Sequence, residues 1–326
     1  MSRLKVAVLY GGRSGEHEIS VRSAKSVIEA LDPERYEAVP LFIDKEGRWE
    51  PRPIAPAPGA NPGIDVVFPV LHGTFGEDGT VQGLLDLAGL PYVGAGVFAS
   101  AASMDKDHFK KLCAARGLPV VECVVVRGAD ADVKAIVEQM PLPVFVKPAN
   151  LGSSVGISKA KDEWSLSVAI AEAARYDSKV IIERAITGQE IECAVLGNDD
   201  AKASTPCEIL PSREFYDYED KYLLDAARIE LPARLSAEKT AEVQRLAVEC
   251  FKAVDCTGMA RVDFFVEEGT GKVYINEINT IPGFTSISMY PKMWAHAGLP
   301  MAKLIDRLIE LALERHAARQ ALRYER

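Results

Sequence analysis

Two acidic residues and an amide on adjacent apolar segments form the densest chemical signal in this chain. Arg261-Val-Asp263-Phe-Phe-Val and Val273-Tyr-Ile-Asn276-Glu277-Ile-Asn279 read as consecutive, paired strands. Side chains alternate along a strand, so Glu277 and Asn279 share a face, and Asp263 on the neighbouring strand meets them there. Like charges side by side repel unless a cation neutralises them. Carboxylate and amide oxygens are donors that magnesium accepts while keeping positions for phosphate oxygens. A solvated acidic strand pair is the competing reading of the same residues.

A second pattern, Pro143-Val-Phe-Val-Lys147-Pro-Ala-Asn-Leu-Gly152-Ser153-Ser154-Val-Gly156, ends a strand in a lysine and continues as a glycine-serine loop. Glycines turn backbone amides toward an anion, serine hydroxyls add donors, and the lysine supplies a point charge. The lysine precedes the glycines, so this is not a Walker loop, and an ordinary hairpin turn is the alternative. The third pattern is Tyr10-Gly11-Gly12-Arg13-Ser14-Gly15-Glu16, between a strand and a helix. Its glycines do not follow G-x-G-x-x-G, which speaks against dinucleotide binding. Glu16 over a sheet edge is suited instead to anchor an ammonium group.

The elements that must position these residues follow from periodicity. Strands are expected at 4–10, 36–43 and 65–71, with helices at 21–31 and 80–88, giving a small open parallel sheet at the amino end. Prolines at 51, 53, 56, 58 and 62 exclude regular structure between the second and third strands. From Met104 a helix through Gly117 leads into alternating short strands and helices, ending near the strand 179–183. Strands at 189–196, 204–210, 259–267 and 272–278 then surround a helix at 236–254, and an amphipathic helix near 300–320 follows. The fold class is therefore α/β (α+β), divided into units at 1–103, 104–187 and 188–326.

Composition bounds the partners. The 326 residues are 48% hydrophobic and 26% charged, enough to bury several cores. A net charge of −9 would repel a phosphate backbone, so nucleic acid is not an expected partner. The apolar opening segment is short, carries Lys5, and lacks a cleavage site, and no stretch reaches the roughly 18 apolar residues of a membrane helix. A cytoplasmic location without membrane contact is expected. Six scattered cysteines predict reduced, buried thiols.

Taken together, the three patterns stand in the order of the ATP-grasp architecture, and the chain resembles the D-alanine:D-alanine ligase family. The resemblance is carried by GGRSGEHEIS at 11–20, LHGTFGEDGTVQGLLDLAGLPYVGAG at 71–96, SMDK at 103–106, VKPANLGSSVGI at 146–157 and EFYDYEDKY at 214–222. GMARVDFF at 258–265 and INEINTIPGFTSISMYP at 275–291 complete it. It implies ATP as co-substrate, two Mg2+ or Mn2+ ions, two D-alanines joined through an acyl phosphate for cell-wall precursor synthesis, and a homodimer. It leaves a monovalent cation open.

Residue by residue, the resemblance implies that Glu16 holds the ammonium of the first D-alanine, with His72 beside its carboxylate. Lys106 and Lys147 would neutralise phosphates under a Ser153-Ser154 loop, Glu183 would meet the adenine amine, Glu190 the ribose, and Phe265 the base. Asp263, Glu277 and Asn279 would hold the metal, and Arg261 with the Gly283 amide would stabilise an oxyanion. Ser288, Met289 and Lys221 would read the second carboxylate. Ser153, Tyr222 and Glu16 would lock a lid at 214–222, and the lid tyrosine, which ester-forming relatives generally lack, implies amide formation.

Overall fold

The computed structural model describes residues 3–153, 155–210 and 228–323. Ser154, Lys221, Tyr222 and the segment 214–222 lie outside the described residues.

The chain opens with β1 (Leu4–Gly11), α1 (His17–Ala30) and β2 (Tyr36–Ile43). Gly11 is required at the end of β1, since a Cβ there would stand 2.1 Å from the Ile43 carbonyl oxygen, and its φ is +92°. β3 (Trp49–Glu50) pairs antiparallel with β2, and β4 (Val66–Pro69) pairs parallel with β1, giving the order β3-β2-β1-β4. The expected parallel sheet thus carries one antiparallel edge strand. Pro51 ends it after two residues, because proline cannot donate to the ladder. No helix or strand follows between 51 and 63, as the prolines predict.

α2 (Thr80–Leu87), α3 (Val97–Met104) and α4 (Lys106–Ala115) follow. The helix expected from Met104 starts two residues later, because Asp105 adopts an extended backbone. Its carboxylate accepts the amides of Asp107 and His108, both at 3.1 Å, capping α4.

The second sheet contains β5 (Cys123–Arg127), β6 (Val144–Pro148), β7 (Ser158–Ala160) and β8 (Lys179–Arg184) in the antiparallel order β5-β8-β6-β7. One face packs under α5 (Val133–Gln139) and α6 (Glu163–Ala173) through Val144, Val146, Val180 and Ile182. Alternation sends Lys147 and Glu183 to the opposite face.

The third sheet runs β12 (Arg228–Glu230), β11 (Cys207–Leu210), β9 (Gly188–Gly197), β13 (Gly258–Glu267), β14 (Val273–Asn279), with β10 (Lys202–Ala203) also on β9. α7 (Ala237–Ala253) covers one face over Cys193, Val195, Val262 and Phe264. The other face is divided along β9. Ala194 and Leu196 pack with Val6, Val8 and Phe68 of the first sheet, and with α8 (Met289–His296) and α9 (Met301–Gln320), in one shared core. Glu190 and Glu192, four and two residues before Ala194 on the same face, line the cleft. All six cysteines are free, and only Cys123 is not fully buried.

Candidate active site

The cleft holds two cavities with a common wall. Lys106, Gly152, Ser153, Glu192 and Glu277 line both. One cavity continues to Glu16, His72, Arg261, Gly283, Ser288 and Met289, the other to Lys147, Glu183, Glu190, Asp263 and Phe265. Every described residue that the sequence nominated therefore borders one cleft, from all three sheets.

The wall is built by register. Asp263 on β13 lies opposite Glu277 on β14 and opposite Glu192 on β9, so three carboxylates form a row across three strands. A bulge makes this possible. Phe264 pairs with Ile275 but Asp263 with Glu277, leaving Asn276 as the extra residue. Without it Asp263 would face Asn276. With it, Asn276 and Glu277 both border the cavity that holds Lys147 and Glu183, a break in alternation that bulges produce beside functional sites.

Arg261 stands two residues along the same face and donates to both Asp263 oxygens at 2.7 Å, with Glu192 Oε2 at 3.3 Å from its Nε. Burial opposes its charge, but Asp263 and Glu192 outweigh burial and hold the guanidinium firmly protonated. Lys106 Nζ lies 3.8 Å from Glu277 and donates to the Leu151 carbonyl at 2.7 Å. Three carboxylates thus face two cations, and Asn279 sits opposite Arg261 with its Oδ1 accepting from the Ile281 amide at 3.0 Å. An all-oxygen donor set with residual negative charge fits a hard divalent cation.

In the cavity that holds Lys147, Glu183 is 2% exposed and lies between two ammonium groups, Lys110 at 2.9 Å and Lys147 at 2.6 Å. Burial pushes its pKa up, yet the two lysines win and hold it down to about 2. Lys147 is raised for the reciprocal reason, against its own burial. Sequence reasoning gave Glu183 to a base amine. The structure shows that both of its oxygens already serve lysines, one of which, Lys110, was not nominated. It lies one helical turn beyond Lys106, on α4.

In the cavity that holds Glu16, Ser153 is a non-glycine residue at φ +53°, and its hydroxyl donates to Glu16 Oε1. Glu16 Oε2 rests between two glycines, where a Cβ on Gly73 would come within 2.7 Å and one on Gly152 within 3.3 Å. His72 Nδ1 lies 2.9 Å from the Ile281 carbonyl, so it carries the proton. Nε2 then accepts from Ser23 at 3.1 Å, while Ser23 Oγ accepts the Phe284 amide at 3.3 Å. Burial lowers the His72 pKa and keeps the ring neutral. Nδ1 is committed to Ile281 directly and Nε2 to Phe284 through Ser23, so His72 and Ser23 position the 281–284 loop that carries Gly283. Ser288 Oγ lies 2.6 Å from where a Gly283 Cβ would stand, which explains the glycine, and it accepts from the Thr285 amide at 3.0 Å.

A different acidic group, Asp105, Asp107 and His108 at the start of α4, brings its ligand atoms within 4.8 Å of one another. The Lys179 ammonium occupies it, bonded to Asp105 and 3.6 Å from Asp107.

Comparison with known proteins places the chain in a family. A family model described as D-ala D-ala ligase N-terminus matches residues 5–60 and 53–95, and one described as D-ala D-ala ligase C-terminus matches 112–310. The D-alanine-D-alanine ligase of Solibacter usitatus is 64% identical over 324 residues, covering 99% of this chain and 100% of that protein. That of Caldicellulosiruptor bescii is 49% identical, with 100% of both chains covered. Among solved structures, the D-alanine-D-alanine ligase from Coxiella burnetii superposes with a TM-score of 0.88 at 43% identity, over 98% of this chain and 97% of the other. The VanG D-Ala:D-Ser ligase from Enterococcus faecalis gives 0.87 at 37%, over 95% and 100%.

Proposed function

The chain belongs to the D-alanine-D-alanine ligase family, with the ATP-grasp fold, and from that premise we propose how its residues divide the work of joining two D-alanines at the expense of ATP. The observation that carries the division is the common wall. Groups suited to phosphate and groups suited to an amino acid meet at Lys106, Ser153 and Glu277, where a γ-phosphate and a carboxylate must touch.

Glu16, oriented by Ser153, takes the ammonium of the first D-alanine and aims its carboxylate at the wall. Lys147 and Lys106 neutralise the phosphates of ATP, Glu190 and Phe265 border the nucleoside, and Glu183 fixes the two lysines beneath it. Asp263, Glu277 and Asn279 hold Mg2+ or Mn2+, which supplies charge neutralisation to the phosphate oxygens when bound. Attack of the first carboxylate on the γ-phosphorus forms an acyl phosphate and releases ADP. The amine of the second D-alanine then attacks the acyl carbon, and the C–O bond to phosphate breaks. Arg261 and the Gly283 amide face the oxyanion that develops between these events. Ser288 and Met289 receive the second carboxylate. We further propose a homodimer located in the cytoplasm, on the family resemblance, and units at 1–103, 104–187 and 188–326, each containing one sheet. No described helix is long and apolar enough to cross a membrane.

The test is phosphate release and product mass from purified protein with ATP and Mg2+ across D-alanine, D-serine, D-lactate and L-alanine. Stoichiometric phosphate and D-alanyl-D-alanine from D-alanine alone is the expected result. No dipeptide from D-alanine, or more ester than amide with D-lactate at neutral pH, overturns the assignment.

A further inference from the structure

The substrate-side cavity contains a carboxyl group that no step above uses. Glu77 sits just before α2 and lines the same cavity as Glu16, His72 and Arg261. Its Oε2 accepts the Gly73 amide at 2.7 Å. Its Oε1 is buried and has no hydrogen-bond partner among the described residues. Burial and the neighbouring Glu16 raise its pKa well above the usual carboxylate range, so the free site resists a second negative charge that a bound cation would neutralise, and a buried polar atom left unpaired is costly.

The first substrate supplies what is missing. An ammonium buried away from water has three N–H donors to satisfy, and they diverge tetrahedrally. Glu16 alone lies on one side of it, and Ser153 already occupies Glu16 Oε1. At least one N–H must find an acceptor elsewhere. Gly73 connects the two candidates, giving its amide to Glu77 while its α-carbon packs against Glu16 Oε2, so that a Cβ would come within 2.7 Å of that oxygen. One turn therefore fixes both carboxyl groups at the same cavity. We propose that Glu77 Oε1 is a second acceptor for the ammonium of the first D-alanine, beside Glu16, and so a determinant of the choice of an amino acid over a hydroxy acid as donor. This rests on the proposed ligase reaction.

Glu77→Gln separates this role from bracing of the turn. The glutamine carbonyl oxygen keeps the Gly73 bond, while the amide nitrogen replaces the unpartnered acceptor with a donor that opposes an ammonium. In a mixture of D-alanine and D-lactate, wild type should make almost only D-alanyl-D-alanine. The variant should show at least a tenfold higher KM for the first D-alanine, with the KM of the second within about twofold. It should also form at least tenfold more base-stable D-lactyl-D-alanine relative to D-alanyl-D-alanine. Wild type that forms no dipeptide overturns the ligase reading. Wild type that does, with Glu77→Gln leaving both the first KM and the product ratio unchanged, overturns only the role of Glu77. If the variant does not fold, wild type crystallised with D-alanine and a non-hydrolysable ATP analogue decides. A substrate nitrogen within about 3.2 Å of Glu77 supports the proposal, and one beyond hydrogen-bond reach overturns it.

Discussion

Asp105, Asp107 and His108 at the start of α4 and the row Glu192, Asp263 and Glu277 across β9, β13 and β14 are both dense in oxygen donors, and the tighter of the two is the one that looks less like a metal centre. In the α4 group the Lys179 ammonium, 5% exposed, lies among the ligands, bonded to Asp105 and 3.2 Å from His108 Nδ1. In the strand row the cations Arg261 and Lys106 approach from the flanks. Proximity of carboxylates is therefore a poor guide to a metal site. What matters is whether the chain has already placed a cation of its own at the centre, and whether the donors border a cavity.

The largest effect expected from this contrast is on turnover. Asp263→Asn and Glu277→Gln each remove charge from the strand row and should lower phosphate release by about 10³-fold, the scale on which preorganised groups facing developing charge are felt. Their thermal melting should stay within a few degrees of wild type. Wild-type turnover in either variant would remove the distinction between the two acidic groups.

Next in size is stability at the other group. Lys179→Met leaves Asp105 and Asp107 without their buried cation, and breaking such a pair typically costs about 3 kcal/mol or more. Urea unfolding should show this loss, while turnover per folded molecule stays within about threefold. Millimolar magnesium should then recover part of the stability, because a vacated acidic centre can take an ion that Lys179 excludes. A variant as stable as wild type would show that Lys179 is not what closes this group.

The contrast also marks what could be read from the sequence. The strand pair carrying Asp263, Glu277 and Asn279 was legible, because alternating apolar residues fix which face each side chain takes. The bulge at Asn276 was not, since Asn276-Glu277 is compatible with unbroken alternation, and only the apolar positions Ile275 and Ile278, spaced by three, hinted at an inserted residue. Glu192 was missed because it becomes a neighbour of Asp263 only through pairing of β9 with β13, a contact between segments about 70 residues apart. Glu77 and Lys110 were missed for the opposite reason. Each lies within a segment already singled out, LHGTFGEDG or the helix after SMDK, and nothing local distinguishes an ionisable group turned into the cleft from a solvated one. The resemblance supplied roles for Glu183 and His72, but their partners Lys110, Lys147, Ser23 and Ile281 are visible only in three dimensions.

The smallest effect is the most selective probe of Lys179. Asp105 is held down to about 2: burial pushes its pKa up, but the Lys179 ammonium and the bonds from His108 outweigh burial. An unfolded aspartate titrates near 3.9. Between these values the unfolded chain binds the extra proton, so the stability contributed by Asp105 is present above about pH 4 and is lost as pH falls toward 2. The group is partly exposed, and solvent screening reduces the contribution to about 1 kcal/mol. Glu183, also held near 2, loses its contribution in the same acidic range, so wild-type acid sensitivity alone assigns nothing. The difference between wild type and Lys179→Met does, because Glu183 is common to both. Urea-derived stabilities at pH 5 and at pH 2.5 should differ less between the two proteins at the lower pH, by about 1 kcal/mol. A difference that does not change with pH would mean that Lys179 stabilises α4 by packing alone, and that the α4 group is closed by something other than charge.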